Sequence, residues 1–234
     1  MKLRIKFQKY GSMRYVGHLD LMRFFQKAIR RAEIDIRYTQ GFHPHPIMAF
    51  AAPLGMNLCS DAEYFDIELL SGSPPEVIID RLNLQMTEGI EVSDACILSD
   101  DAKNAMAAVA AADYTITFRE GILSGKSSDE MKDLVHAYYE MRESIPITKK
   151  TKKSERSMDL KPLIYRFEAK EGGVFLCVST GSIDNIKPEL VLKDFCRFFN
   201  IPYDRYTFTV TRNEIYAASD RDLIPLIRFG AAVS

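Results

Sequence analysis

The chain has no apolar run near the roughly 20 residues that a membrane-spanning helix needs, so no helical membrane protein is expected. Cys-x-x-Cys pairs are missing too. The four cysteines, Cys59, Cys96, Cys177 and Cys196, are scattered, which leaves no zinc spacing and no cluster-binding CxxxCxxC. They read as small apolar residues of a protein kept in a reducing, cytoplasmic compartment. The opening MKLRIKFQKY alternates charge with Leu3, Ile5 and Phe7 and lacks the apolar stretch of a secretory leader, so none is expected. Walker-type phosphate loops, a helical HxxxH and an RNP1 motif are all absent. Net charge is nearly absent as well: 31 Lys and Arg stand against 32 Asp and Glu.

That balance conceals a division along the chain. Residues 1–46 carry ten basic and three acidic residues, a net +7. Residues 47–141 carry five basic and seventeen acidic residues, a net −12, and residues 142–234 return to +4. Such asymmetry points to one electropositive region with an anionic partner.

Hydrophobic periodicity predicts the elements. Lys2–Tyr10 alternates as a strand, with Leu3, Ile5 and Phe7 inward and Lys2, Arg4 and Lys6 outward. Gly17–Ile34 reads as a helix with Met22, Phe25, Ala28, Ile29 and Ala32 on one face and Arg23, Lys27, Arg30 and Arg31 on the other. Ile34–Tyr38, Ile47–Ala52, Glu63–Leu70 and Ile90–Leu98 follow as strands, with a helix over Pro75–Met86. The second half repeats the plan. It has a strand at Asp113–Arg119, helices at Ser128–Arg142 and Pro188–Phe199, a hairpin through KEGG, and a last strand at Tyr206–Thr211. The expected class is α+β: two ferredoxin-like (β-α-β-β-α-β) units with antiparallel sheets, covering 1–108 and 109–234.

The densest chemistry lies in RYVGHLDLMRFFQKAIRRAEI and YTQGFHPHP. Pro44 and Pro46 push His43 and His45 to extended geometry and stiffen the loop that Gly41 turns into. His18 falls in the first helical turn. It is either a half-buried histidine bonded to a carbonyl or to Asp20, or a site residue whose imidazole the helix start keeps neutral. His18, His43 and His45 have no patterned zinc spacing, and no metal or cofactor is expected. The Gly41–Pro46 loop is expected against His18. There His18, His45, Arg14 and Gln40 would converge on a pocket floored by Phe42. Basic residues interleave with flat ones, as in Arg14-Tyr15, Arg37-Tyr38 and Phe42-His43, which is the chemistry of phosphate contact and base stacking. The RNA-contacting candidates are therefore Arg14, Tyr15, His18, Arg23, Lys27, Arg30, Arg31, Arg37, Gln40, Phe42, His43 and His45. A second basic run, KKTKKSER, reads as an extension of that track or as a solvated hairpin tip.

These stretches, with PLG and SDAEY following in order, resemble the uncharacterised radical-SAM-linked protein family, whose match is close over about residues 1–70. The family pattern more often has Asn at position 43, which favours His18 and His45 over His43. The resemblance implies partnership with a radical S-adenosylmethionine enzyme that acts on RNA. Without cluster cysteines, this chain is not the radical enzyme itself. A looser likeness of plan is to the CRISPR repeat-RNA-processing proteins, some of which cut RNA with a histidine. The expected function is a non-catalytic RNA-binding or substrate-presenting partner of a radical enzyme in RNA modification or processing. One alternative is a metal-independent RNA-processing or RNA-modifying enzyme with His18 and His45 as acid and base. The other is a protein-only adaptor for an acidic partner.

Overall fold

The computed structural model describes residues 1–150, 155–181, 184–220 and 222–231, without the side chains at 149, 150, 155 and 156. The basic run KKTKKSER therefore lies outside the described residues or at side chains not described. The chain opens with β1 (Lys2–Lys9), a 3-10 turn (Gly11–Tyr15), α1 (His18–Arg31), β2 (Met48–Phe50) and β3 (Cys59–Glu68). Then come α2 (Pro75–Asn83), β4 (Ile90–Leu98), α3 (Ala105–Ala108), β5 (Val109–Phe118) and α4 (Ser128–Val135). A π turn (His136–Glu140) leads to β6 (Pro146–Lys150), β7 (Glu155–Asp159), β8 (Ile164–Lys170) and β9 (Gly173–Ser179). The described chain closes with α5 (Pro188–Phe198), β10 (Phe208–Ser219) and β11 (Asp222–Pro225). The protein is mixed α+β with mostly antiparallel strand pairing.

Two compact units form: Met1–Ala111 with Arg212–Ser234, and Ala112–Thr211. In the first, the strands run β4-β1-β3-β10, with β2 also on β3 and β11 on β10. In the second the order is β10-β5-β9-β8, and β6 pairs with β7 apart from it. β10 gives its first residues to the second unit and Arg212–Ser219 to the first.

In the first unit, α1 lays Leu21, Phe25, Ala28 and Ile29 on the sheet, a stripe at helical spacing. Phe25 meets Phe7 and Phe65 at ring distances of 4.7 Å each, and Phe50 closes the cluster 5.1 Å from Phe65. β1 carries Leu3, Ile5 and Phe7 into this core as its alternation predicts. Its other face departs from expectation. Arg4 is fully buried and Lys6 half-buried, because residues 214–229 of the same unit cover that face. The strand expected at Ile34–Tyr38 is reduced to single bridges, Ile36 to Leu69 and Tyr38 to Pro46.

In the second unit the helix predicted to reach Arg142 stays α-helical only to Val135. Ser127 caps it in a capping box with Glu130. The π turn that follows brings Tyr138 into the interior, where its hydroxyl donates to Asp194 at 3.1 Å. Gly173 lies so close to β5 that an added Cβ would stand 2.0 Å from the Ile116 carbonyl oxygen. Gly173→Ala is expected to destabilise the second unit by about 1–3 kcal/mol through overpacking, read as a lower urea midpoint at unchanged slope.

Candidate nucleic-acid interface

The face of α1 opposite the core carries Arg23, Lys27, Arg30 and Arg31, all exposed. Rows of these side chains recur every turn, about 5–6 Å along the axis. Arg23 pairs with Asp20 at 3.3 Å, an exposed contact of little energetic weight. Arg31 is held by the Gln85 side chain and carbonyl at 3.1 and 3.2 Å. Among the described residues, Lys27 and Arg30 have no side-chain partner. The helix begins at Gly17, which offers no capping side chain.

Just before it, the 3-10 turn presents Arg14 and Tyr15 together. The Arg14 guanidinium lies 4.9 Å from the centre of the Tyr15 ring and donates to its hydroxyl at 2.9 Å. That bond raises the Arg14 pKa. Tyr15 is exposed. His18 stands edge-on to Phe50 at 5.2 Å. Burial first, and the Lys9 charge second, hold its pKa below the ordinary histidine value, so at pH 7 the ring is neutral.

The other stretch forms a braced hairpin. The Thr39 amide donates to the His45 carbonyl at 2.9 Å, and the His45 amide to the Thr39 hydroxyl at 3.1 Å. His45 Nδ1 lies 3.2 Å from that hydroxyl and 3.3 Å from the His43 carbonyl oxygen. Arg37 at the stem pairs with Glu68 at 3.4 Å. Gln40, Phe42, His43 and His45 are all exposed.

The pocket expected between this hairpin and α1 does not have Phe42 as its floor. Phe42 is 101% exposed and floors nothing. His45 is occupied with its own hairpin, while His18 packs on Phe50. The two imidazoles, both among the described residues, share no hydrogen bond or ring contact. The hairpin stem meets β3 at Glu68, whereas Phe50, the residue under His18, pairs three positions earlier at Phe65.

Beneath Arg14 and His18 lies a group of charges that the sequence reading did not single out. Lys9, Glu63 and Arg212 are 1, 3 and 4% exposed. Arg212 meets Glu63 at 3.0 Å and also donates to the Ala52 carbonyl at 3.0 Å. Lys9 Nζ donates to the Val16 carbonyl at 2.9 Å. Desolvation lowers the Lys9 pKa against the pull of Glu63 and Cys59, and it raises that of Glu63 against Arg212, Ser60 and Lys9. The signal was present in the pattern: Lys9 continues the inward parity of Leu3, Ile5 and Phe7, and Glu63 that of Phe65, Ile67 and Leu69. Among the described residues no three His, Cys, Asp or Glu side chains converge as a metal site. No helix among them is long and apolar enough to cross a membrane.

Residues 2–188 match the family described as "Uncharacterized protein conserved in bacteria (DUF2344)", and the chain belongs to that family. No curated protein matches it. Among solved structures, a chain of "Crystal Structure of a Cbf5-Nop10-Gar1 Complex" is similar at a TM-score of 0.47 and 8% identity. The similarity covers 91% of this chain and 48% of that one, so the chain spans about half the length of the structure it resembles.

Proposed function

We propose that the chain is a non-catalytic RNA-binding protein that presents RNA to a partner enzyme, with the first unit as its binding face. The observation that carries this reading is the exposed row Arg23, Lys27, Arg30 and Arg31 on α1. Of the other six basic residues in 1–46, Arg4 and Lys9 are internal, Lys6 serves Glu214, Arg37 serves Glu68, Lys2 donates to the Asp100 carbonyl and Arg14 holds the Tyr15 hydroxyl. Four exposed cations therefore share one helix face, with Lys27 and Arg30 unpaired among the described residues, and exposed Tyr15 and Phe42 supply flat surfaces for bases. That the partner is a radical S-adenosylmethionine enzyme rests on the sequence resemblance alone.

Each unit is read as a ferredoxin-like repeat. Supporting this are the order β4-β1-β3 with β2 outside β3 in one unit and β10-β5-β9-β8 in the other. Acid–base cleavage by His18 and His45 is the weaker reading, since the two rings are not brought together and His45 is engaged by Thr39 and His43.

The test is salt. Affinity for single-stranded RNA should fall with log salt at about −0.7 per neutralised phosphate. Replacing Arg23, Lys27, Arg30 and Arg31 by Ala should flatten the slope by about 2–3, because up to four phosphate contacts vanish. An unchanged slope removes α1 from the binding face, and failure to retain any RNA at low salt overturns the reading.

A further inference from the structure

Phe42 poses a question that the cationic helix does not answer. It is the most exposed of the large hydrophobic side chains, at 101%. Exposure of that degree is ordinary on a loose loop, but this hairpin is held shut. Its stem is joined at Ile47 to Arg37 by a 2.9 Å amide bond, and Tyr38 bridges to Pro46. Inside the stem, Thr39 and His45 exchange backbone and side-chain bonds in both directions. Gly41, at φ 124°, supplies the left-handed backbone that the turn needs. Pro44 and Pro46 remove freedom that the unbound loop would otherwise have. The hairpin backbone thus holds the ring out in water, and bracing that backbone in advance lowers the ordering cost of whatever stacks on the ring.

The surroundings decide what that is. A protein pocket would grip an aromatic knob through further apolar contacts around it. Here the neighbours are Gln40, Gly41, His43, Pro44 and His45, all exposed and mostly polar. The Gln40 amide and the His43 and His45 imidazoles, within three residues of Phe42 in the chain and exposed like it, offer the donors and acceptors that read a base whose faces are stacked. Nδ1 of His45 faces Thr39 and the His43 carbonyl within the hairpin, which leaves Nε2 free of those contacts. Segment 1–46 carries a net +7, which suits a polyanion.

We propose that the Tyr38–Pro46 hairpin is a rigid stacking finger whose Phe42 ring takes one unpaired base of a bound RNA, with Gln40 and His43 beside the base edge. This rests on the RNA-binding reading above and adds to it a preference for unpaired over duplex RNA. Duplex bases are already stacked on both faces and offer the ring nothing.

The chain contains no tryptophan, so Phe42→Trp places a single indole at the fingertip. The probe is a labelled 12-nucleotide single strand of mixed sequence, alone and annealed to its complement. Saturating single strand should quench the indole emission of this variant, and the duplex should not. Phe42→Ala should weaken single-strand binding by about 5- to 100-fold, the range for losing one stacked base, while leaving the salt slope unchanged because no charge is removed. Phe42 has no packing role, so both variants should keep the wild-type denaturation midpoint. RNA that binds with the helix-dependent salt slope, but leaves the emission and the Phe42→Ala affinity unchanged, overturns the finger and leaves the RNA reading standing. Emission that shifts blue with a purified partner enzyme and not with RNA assigns the ring to a protein pocket and overturns the proposal. Absence of RNA binding by every form overturns both readings.

Discussion

Arg4→Ala is expected to lose about 3–5 kcal/mol of unfolding free energy, the range for breaking a buried ion pair on one side. All five guanidinium N–H groups are in use. Nε and Nη2 clasp the two oxygens of Asp66 at 2.8 and 3.0 Å. Nη1 donates to the carbonyls of Leu226 and Phe229 at 3.0 and 2.8 Å, and Nη2 also to that of Lys103 at 3.0 Å. Removing the side chain leaves Asp66 with the Ala105 amide, leaves the Leu226 carbonyl with the Phe229 amide, and strands the Lys103 and Phe229 carbonyls. Each orphaned buried acceptor adds desolvation cost to the lost attraction. The loss should appear as a lower urea midpoint and as faster amide exchange at Arg228 and Phe229, whose backbone bonds shape the turn. Combining Arg4→Met with Asp66→Leu should recover much of the loss, since it removes the charge together with its partner. A single variant within about 1 kcal/mol of wild type would show that the face over β1 is open to water.

The same pair shows where the sequence stops being informative. Leu3, Ile5, Phe7 and the α1 stripe are local patterns with periods of two and 3.6, and they place the first strand and helix correctly. The exposed cations of α1 follow from that same period. Arg4 and Asp66 each read as solvated polar residues of an alternating strand. Their burial depends on residues 226–229, more than 150 positions away, which no local pattern announces. The last strand, expected at Tyr206–Thr211, runs on through Arg212, Asn213 and Glu214 to Ser219. The strand continues because each charge finds an answer: Arg212 meets Glu63, and Glu214 meets Lys6 at 2.8 Å and the Tyr64 hydroxyl at 2.6 Å. Phe42 was misplaced for the opposite reason. An aromatic beside Gly and two His-Pro pairs reads as a pocket floor, since phenylalanine is usually buried. Only the closed hairpin around it shows the ring pointing into solvent.

Glu63→Gln should match Arg4→Ala in severity, whereas Lys9→Met should not. Lys9, Glu63 and Arg212 bring two cations and one carboxylate into an interior with almost no access to water. Arginine cannot release its proton, so Glu63 is the charge that makes Arg212 tolerable there. Neutralising it removes the carboxylate that meets Arg212 and pulls on Lys9 in that interior, at a cost of about 3–5 kcal/mol. Lys9 is the surplus cation, already pushed below its ordinary pKa by burial. Lys9→Met removes that surplus and strands only the Val16 carbonyl it served at 2.9 Å, since the Arg14 carbonyl keeps the Asn57 amide at 2.8 Å. Its expected cost is about 1 kcal/mol or less. The pH dependence separates this account from simple loss of packing. Glu63 is the largest influence raising the Lys9 pKa, so Glu63→Gln lets it fall further. A lysine whose folded pKa lies below its unfolded value binds more protons when unfolded, so stability rises with pH between the two values. The deficit of Glu63→Gln should therefore shrink as pH rises between the Lys9 pKa of the variant and that of the wild type, and it should not shrink when Lys9→Met is added. Urea midpoints of the two single variants and the double variant across that pH range make the measurement. Equal damage from Lys9→Met and Glu63→Gln, with no pH dependence in either, would show that the three side chains are fixed by shape rather than by charge.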